Sequence, residues 1–595
     1  MLPYQDPDRP VDARVHDLVG RMTLPEKAGL LCHTPVAVSP DGDLVEQSHG
    51  PLPVAPTTHA VEDLHLRCLS LMAPVSARQL ARWHNRVQAL AARSRLGIPV
   101  LVSSDPRHSA NANPLTSVPS GNCSRWPEPL GLGALGDERL VRRFASVVRA
   151  EYAAVGIRLA LHPMADLATE PRWCRVSGTF GADPALVGRL AGAYVEGLQG
   201  PYLGPASVAA MVKHWPGAGP QAGGEDAHFP SGQDQVYPAG RYEQHRAQFG
   251  PALRAGAAAV MPYYGRPVGV RGLREVGFAF DPEVIAGQLR GGEGFDGLVC
   301  TDFGLLTDSV LPDGSVWPAR AWGLTHLDRT ERARQLIEAG VDQFGGEWCP
   351  EVVVELVTSG RVSEVRVDDS VRRVLTLMFR LGLFENRYVD EDRAAAIVGQ
   401  ADFVAEGKAA QRQSMVLLTN NGVLPLATGV RLYVEGIDPT VAARYASVVD
   451  SPADADVALV RITTPHEPRQ RLPEAFFHQG RLDLPDEQLD HLLRLAATVP
   501  TVIDIFLERP AVVPELAEHA AGLLGDFGAE DEAVLDVVFG HARPGGRLPF
   551  ELPSSMAAVA AHPEDLPCGT ENPTFPLGHA VPAGDWIPRV TESKG

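Results

Sequence analysis

The chain has 595 residues, 45% of them apolar and 21% charged, with a formal net charge of -20. One hydrophobic core stops growing near about 250–300 residues, so at least two domains are expected. The acidic balance excludes nucleic acid or an anionic membrane surface as the expected partner, because phosphate binding needs clustered Lys and Arg.

Seven cysteines lie scattered, without a CxxC pair. Such a set reads as reduced core thiols in a cytoplasmic protein, not as a disulfide frame. The opening segment carries Asp6, Asp8, Asp12 and Asp17 and has no apolar core, so it does not read as a signal peptide. No run of about 18 apolar residues suggests a membrane span.

Taken in chain order, Val11, Val15, Leu18, Val19 and Met22 mark a first amphipathic helix. Thr23-Leu24-Pro25-Glu26 is a capping box that restarts a helix. A Pro-rich stretch over 39–58 reads as surface loop. Helical segments then alternate with short apolar runs, each ending in polar groups. The run 97–102 ends at Asp105, 156–161 at Asp166, 208–212 at Lys213-His214, 257–261 at Tyr263-Tyr264, and 297–300 at Thr301-Asp302, while 340–342 follows a helix over 330–339. This alternation predicts a parallel sheet. Polar groups recurring at strand ends predict a barrel whose carboxyl rim gathers them. Six such units are legible, which leaves the start of the barrel irregular.

A polar, helical stretch follows, and a second α/β rhythm appears at 430–434, 457–462, 501–506 and 522–527. The expected architecture is α/β, a (β/α)8-like TIM barrel over 1–385, a linker over 386–412, an α/β sandwich domain over 413–553, and a tail over 554–595 packing on the surface.

Two glycine-rich motifs carry little. GxGxxG at 131–136 follows Trp126-Pro127-Glu128-Pro129, which cannot be a strand, so a turn before the helix over 137–155 is expected there. The run 217–224 lacks the Lys-Ser/Thr ending of a phosphate cradle and leads into Glu225-Asp226, so it reads as a rim loop. His214 and His228 stand without HExxH or clustered Cys/His, and neither a metal nor any other cofactor is expected.

Asp105, Lys213, His214, Tyr264 and Asp302 would meet on one rim. A pocket mixing carboxylates with cationic donors suits a neutral polyhydroxy ligand and acid/base work on a glycosidic bond. Lys213-His214-Trp215-Pro216-Gly217-Ala218-Gly219 resembles the KHFPGxG motif of glycoside hydrolase family 3, and Gly294-Phe295-Asp296-Gly297 through Thr301-Asp302-Phe303-Gly304 resembles that family's GFDGxVxSDWG segment. Further matches begin at Arg21, Glu170, Val416 and Gly546, in the family's order over nearly the whole chain.

The resemblance implies that Asp302 is the nucleophile of a retaining, exo-acting, β-glucosidase-like hydrolase acting on a small glycoside or oligosaccharide. It implies that Asp105, Lys213, His214, Tyr264 and an arginine bind the sugar. Arg175 fills the later arginine of the family's DPRWGR, with Arg172 in reserve. The implied acid/base is a loop glutamate of the second domain, for which Glu467 is the expected residue and Glu474 or His228 the alternatives. Phe303 departs from the family's Trp. Asp226-x-His228 is similar to the Asp–His pair of the N-acetylglucosaminidase branch, so a β-N-acetylglucosaminidase or phosphorylase is the second reading, and a non-catalytic sugar-binding protein the third. A homo-oligomer is compatible with the sequence; which sugar and aglycone are recognised is left open.

Overall fold

The computed structural model describes residues 2–47, 54–72, 74–109, 117–119, 121–582 and 586. Part of the 39–58 loop and the end of the tail therefore lie outside the described residues. Eight short strands, β1 (Cys32–Val36), β2 (Cys68–Leu71), β3 (Leu101–Ser104), β4 (Ile157–Ala160), β5 (Ala209–Trp215), β6 (Ala259–Pro262), β7 (Leu298–Val299) and β8 (Phe344–Gly345), pair in the order β8-β1-β2-β3-β4-β5-β6-β7, every pair parallel. Beyond β7 the ring closes. Thr301 N donates to Gln343 O at 3.0 Å, and Asp342 N donates to Val299 O at 2.8 Å. The expected TIM-like barrel is thus present, with two strands more than the six units read from sequence. Both are short and atypical: β1 carries Pro35, and β2 is only Cys-Leu-Ser-Leu.

The run expected at 340–342 leads into β8, which begins at Phe344. Gly340 adopts φ 107° to end the helix Arg329–Ala339, and the buried Asp342 accepts from Val299 N at 2.9 Å and Arg290 Nη2 at 2.6 Å. Its carboxylate holds β7 where ladder bonds are few.

The helices around the barrel begin where capping side chains satisfy free backbone N–H groups. Thr23 and Glu26 form the expected box, Ser76 and Gln79 form another, and Asp137, Asp183 and Asp328 cap Glu138–Ala154, Pro184–Gln199 and Arg329–Ala339. The GxGxxG segment is not the expected turn but a short helix, Pro129–Leu135. A Cβ on Gly133 would sit 2.1 Å from Phe180 O, so that glycine serves close packing.

The second sheet contains β9 (Val416–Asn420), β10 (Arg431–Glu435), β11 (Ser447–Val448), β12 (Val457–Thr463), β13 (Thr501–Phe506) and β14 (Gly522–Asp526). Their order is β9-β14-β13-β12-β10-β11, with only β9 antiparallel to its neighbour. Helices Glu391–Ile397 and Ala401–Ser414 connect the two sheets. Later residues return to the barrel: the carboxylate of Asp565 accepts from Ala239 N at 2.9 Å and Arg241 N at 2.7 Å. Among the described residues no helix is long and apolar enough to cross a membrane.

Candidate active site

The carboxyl ends of β3 to β7 deliver Asp105, Asp166, Lys213, His214, Tyr264 and Asp302 to the rim, as parallel-barrel geometry requires. A cavity of about 940 Å³ opens there, lined by Asp105, Arg175, Lys213, His228, Tyr264 and Asp302 on its polar side. Asp302 is 7% exposed. Its Oδ1 accepts from Phe303 N at 2.8 Å, while Oδ2 has no hydrogen-bond partner among the described residues and lies 3.8 Å from His214 Nε2. A buried carboxylate oxygen is costly to leave unpaired unless opposite charge is near. Arg175 supplies such charge. Burial alone would lower its pKa, but Asp226 and, more weakly, Asp302 outweigh that and raise it. The guanidinium lines the cavity and makes no hydrogen bond among the described residues, so its donors face the space a ligand would fill.

Close packing beneath Asp302 is made possible by Gly345. A Cβ there would stand 2.3 Å from Thr301 O and 2.6 Å from the Phe303 ring.

Lys213 Nζ donates to Asp105 Oδ1 at 2.8 Å. The peptide bond between Lys213 and His214 is cis. His214 Nδ1 pairs with Asp166 Oδ2 at 2.8 Å, and Asp166 also accepts from the backbone N of His214 at 3.2 Å and of Ala218 at 2.7 Å. Burial, reinforced by Arg175 and Lys213, holds the His214 pKa well below the usual histidine range, so the ring is neutral. Burial raises Asp166 to about 7. Asp166 was not among the residues expected at the site, although its position at the end of the 156–161 run is the same signal that marked Asp105.

Tyr264 lines the cavity, but its hydroxyl is committed to Phe303 O at 2.8 Å. Arg172, the reserve arginine, turns back onto Glu170 at 2.7 Å and leaves the cavity to Arg175.

Facing these groups is the segment Glu225-Asp226-Ala227-His228. His228 Nδ1 pairs with Asp226 Oδ1 at 2.5 Å, leaving Nε2 without a partner among the described residues. Burial alone would raise the Asp226 pKa; His228 and Arg175 overcome it and hold the carboxyl at about 2. Three indoles lock the segment. Trp173 Nε1 donates to Asp226 Oδ2 at 3.1 Å, Trp322 Nε1 to Ala227 O at 2.8 Å, and Trp317 Nε1 to His228 O at 2.9 Å. The His228 ring packs on Tyr264 at 4.7 Å and Phe477 at 4.9 Å between centroids. The segment that follows the 217–224 rim loop is a pinned wall.

Glu467, expected to face Asp302, does not line this cavity. Its side chain is 48% exposed and lies 3.5 Å from Arg469, while its backbone N donates to Gln479 O at 2.9 Å. That bond closes the stem of the loop 465–480, so Glu467 stays at the stem. The loop enters the cavity only further along, through Gln470, Arg471, Leu472, Pro473 and Phe476. Glu474 sits beside these residues without itself lining the wall. The loop is strapped across the cleft by Arg469 to Glu225 at 2.7 Å and by Gln479, which donates to Glu225 at 2.8 Å and accepts from Asp226 N at 3.0 Å.

The mouth of the cavity is apolar, with Val310 64% and Leu472 50% exposed beside Trp317 and Trp348. Sequence reading missed both tryptophans and Arg320, whose guanidinium lies 4.2 Å over the Trp317 ring. They belong to 304–348, where loops follow no hydrophobic period.

Similarity to known proteins agrees with this architecture. The model of the glycosyl hydrolase family 3 N-terminal domain matches residues 59–377, and that of the family's C-terminal domain matches 430–582. The chain is 46% identical to beta-glucosidase C of Emericella nidulans over 585 residues, covering 97% of this chain and 93% of that one. It is 39% identical to a periplasmic beta-glucosidase/beta-xylosidase of Dickeya chrysanthemi over 609 residues, covering 98% and 91%. Among solved structures, a β-glucosidase from Erythrobacter marinus superposes with a TM-score of 0.79 at 21% identity, covering 97% of this chain and 84% of that one. A Listeria innocua β-glucosidase in complex with glucose superposes at 0.75 and 23%, covering 96% and 83%. At those identities the structures speak for the fold alone. The two family models and the relatives along nearly the full length establish that the chain belongs to glycosyl hydrolase family 3 and is a glycoside hydrolase.

Proposed function

We propose that the chain is a retaining, exo-acting β-glycosidase of the β-glucosidase type, with Asp302 as nucleophile. One observation carries the reading: Asp302, with one carboxylate oxygen left without a partner among the described residues, lines a sugar-sized cavity together with Arg175 and His228. The names of the relatives support a β-glucoside as substrate. Asp105, Lys213, His214 and Arg175 hold the hydroxyls of the terminal sugar, and the apolar mouth receives the leaving group.

Asp302 attacks the anomeric carbon, the glycosidic C–O bond breaks, and a proton passes to the departing oxygen. Water then adds to the glycosyl-enzyme with the same proton carrier acting as base, so configuration is retained. His228 is assigned as that carrier, because Asp226 orients its ring and leaves Nε2 for the cavity. Glu474 is the reserve, one residue beyond the wall-lining Pro473. Chromogenic β-glycosides test the reading. Turnover of the glucoside with β-glucose as first product supports it, and inverted product or no turnover on any β-glycoside overturns it.

The Asp226–His228 pair also favours a second reading, a β-N-acetylglucosaminidase or phosphorylase. Activity on the N-acetylglucosaminide but not the glucoside, or dependence on phosphate, selects it. A cytoplasmic location is proposed on the seven cysteines, all unpaired thiols. Alkylation of all seven in protein taken from cells under acid quench tests it.

A further inference from the structure

Beside the cleft, the two ends of the 465–480 loop bring His466 and His478 face to face. Their rings stack with centroids 4.0 Å apart and planes within 10°. Glu508, just past the end of β13, accepts from His478 Nδ1 at 2.9 Å. One ligand atom from each of the three side chains lies within 4.8 Å of the others. We propose that His466, His478 and Glu508 form a site for a single divalent transition cation, zinc foremost, that clips the stem of this loop. The proposal stands apart from the catalytic reading and uses none of its residues.

Several features support the site. Two imidazoles and a carboxylate match the borderline-soft, nitrogen-rich set that zinc prefers, with a fourth position left for water. The adjacent cation, Arg509, is already committed: its Nη1 donates to Arg172 O at 3.1 Å and Gly480 O at 3.3 Å, and its Nη2 to Pro465 O. Those bonds, with Glu467 N to Gln479 O, already close the stem, so the half-exposed His478 ring has only to turn out of its stack on His466 for the three ligand atoms to converge on one ion at zinc–nitrogen distances of about 2.0–2.1 Å.

A metal that closes a loop removes conformational freedom from the open state. Between His466 and His478 lie Arg471, Leu472, Pro473 and Phe476, which line the Asp302 cavity. Loading the site would therefore stiffen one wall of the substrate cavity from outside it.

The test is calorimetric titration of ZnCl2 into the full chain after chelator treatment, with MgCl2 and CaCl2 as comparisons. Expected is one zinc site with Kd on the order of 1–10 µM, and no comparable heat from the hard cations. Glu508→Gln, which preserves shape, and His478→Ala should each weaken that site by about 10- to 100-fold, while His59→Ala leaves it unchanged. Zinc should also slow tryptic cleavage after Arg469 and Arg471 in the unmodified chain but not in Glu508→Gln. Absence of saturable zinc binding, or the same affinity in Glu508→Gln, overturns the site. Equal cleavage with and without zinc overturns the clip.

Discussion

The two walls of the cleft are built by different means. On the barrel side, Asp166, Lys213, His214 and Asp302 are buried at strand ends with Asp105 partly buried beside them, and short hydrogen bonds join Lys213 to Asp105 and His214 to Asp166. On the other side, the wall is a loop whose stem is tied by Arg509 and Gln479 and whose lip, at Leu472, is half exposed. The first wall is preorganised before any substrate arrives, as a charge-developing reaction requires. The second holds its shape through contacts from distant parts of the chain. On the proposed mechanism, the chemistry falls on the wall built from strand ends, and selection of the leaving group on the wall held by contacts from elsewhere in the chain.

The largest predicted effect tests the stiff wall. Asp302→Asn should cut kcat by roughly 10⁴-fold or more with an unchanged melting curve, and should abolish the mass adduct formed with a 2-deoxy-2-fluoro-β-glycoside. A retained adduct would move the nucleophile elsewhere. Next comes a direct contest between the walls. His228→Ala should lower kcat by about 10²–10³-fold on a poor leaving group, with azide restoring turnover as the glycosyl azide. Glu467→Ala should stay within about threefold of the parent. The reverse ranking would hand proton transfer back to the loop glutamate.

Asp166→Asn sharpens the comparison from beneath. Loss of the charged acceptor behind His214 should lower kcat/KM by about 10- to 100-fold, seen as a steeper loss for the glycoside than for thermal stability. It also has a pH signature. Asp166 binds its proton more tightly folded than unfolded, because burial lifts its pKa from the ordinary 3.8 to about 7. Its contribution to stability is therefore fully present below the lower value and fades as pH rises toward about 7. The melting-temperature difference between parent and Asp166→Asn should change through that window and level off above it. The smallest effect concerns the strap. Arg469→Ala breaks a partly exposed pair with Glu225 and should cost at most about 1 kcal/mol, read as a KM change for bulky aglycones with kcat held.

Much of the barrel was legible because period and punctuation are local properties. The runs ending at Asp105, Lys213 and Asp302 alternate with capped helices, and each observed strand falls within a few residues of its expected place. β1 and β2 escaped because Pro35 and the brevity of Cys68–Leu71 erase the pattern. Glu467 misled for a related reason: it follows a strand end, as Asp302 does. The barrel forces its strand ends to converge, whereas the loop beyond β12 is free to turn away until Gln479 catches it.

From the residues themselves came the layered α/β plan, the rim of polar groups and Asp302 as the proposed nucleophile, because side-chain periodicity and strand-end position are written along the chain. Only the folded arrangement decided which group joins Asp302 in the cavity wall. That choice depends on Trp173, Trp317 and Trp322 holding Asp226–His228 in place, and on Arg509 holding the neighbouring loop. These contacts join residues far apart in sequence, and no local pattern encodes them.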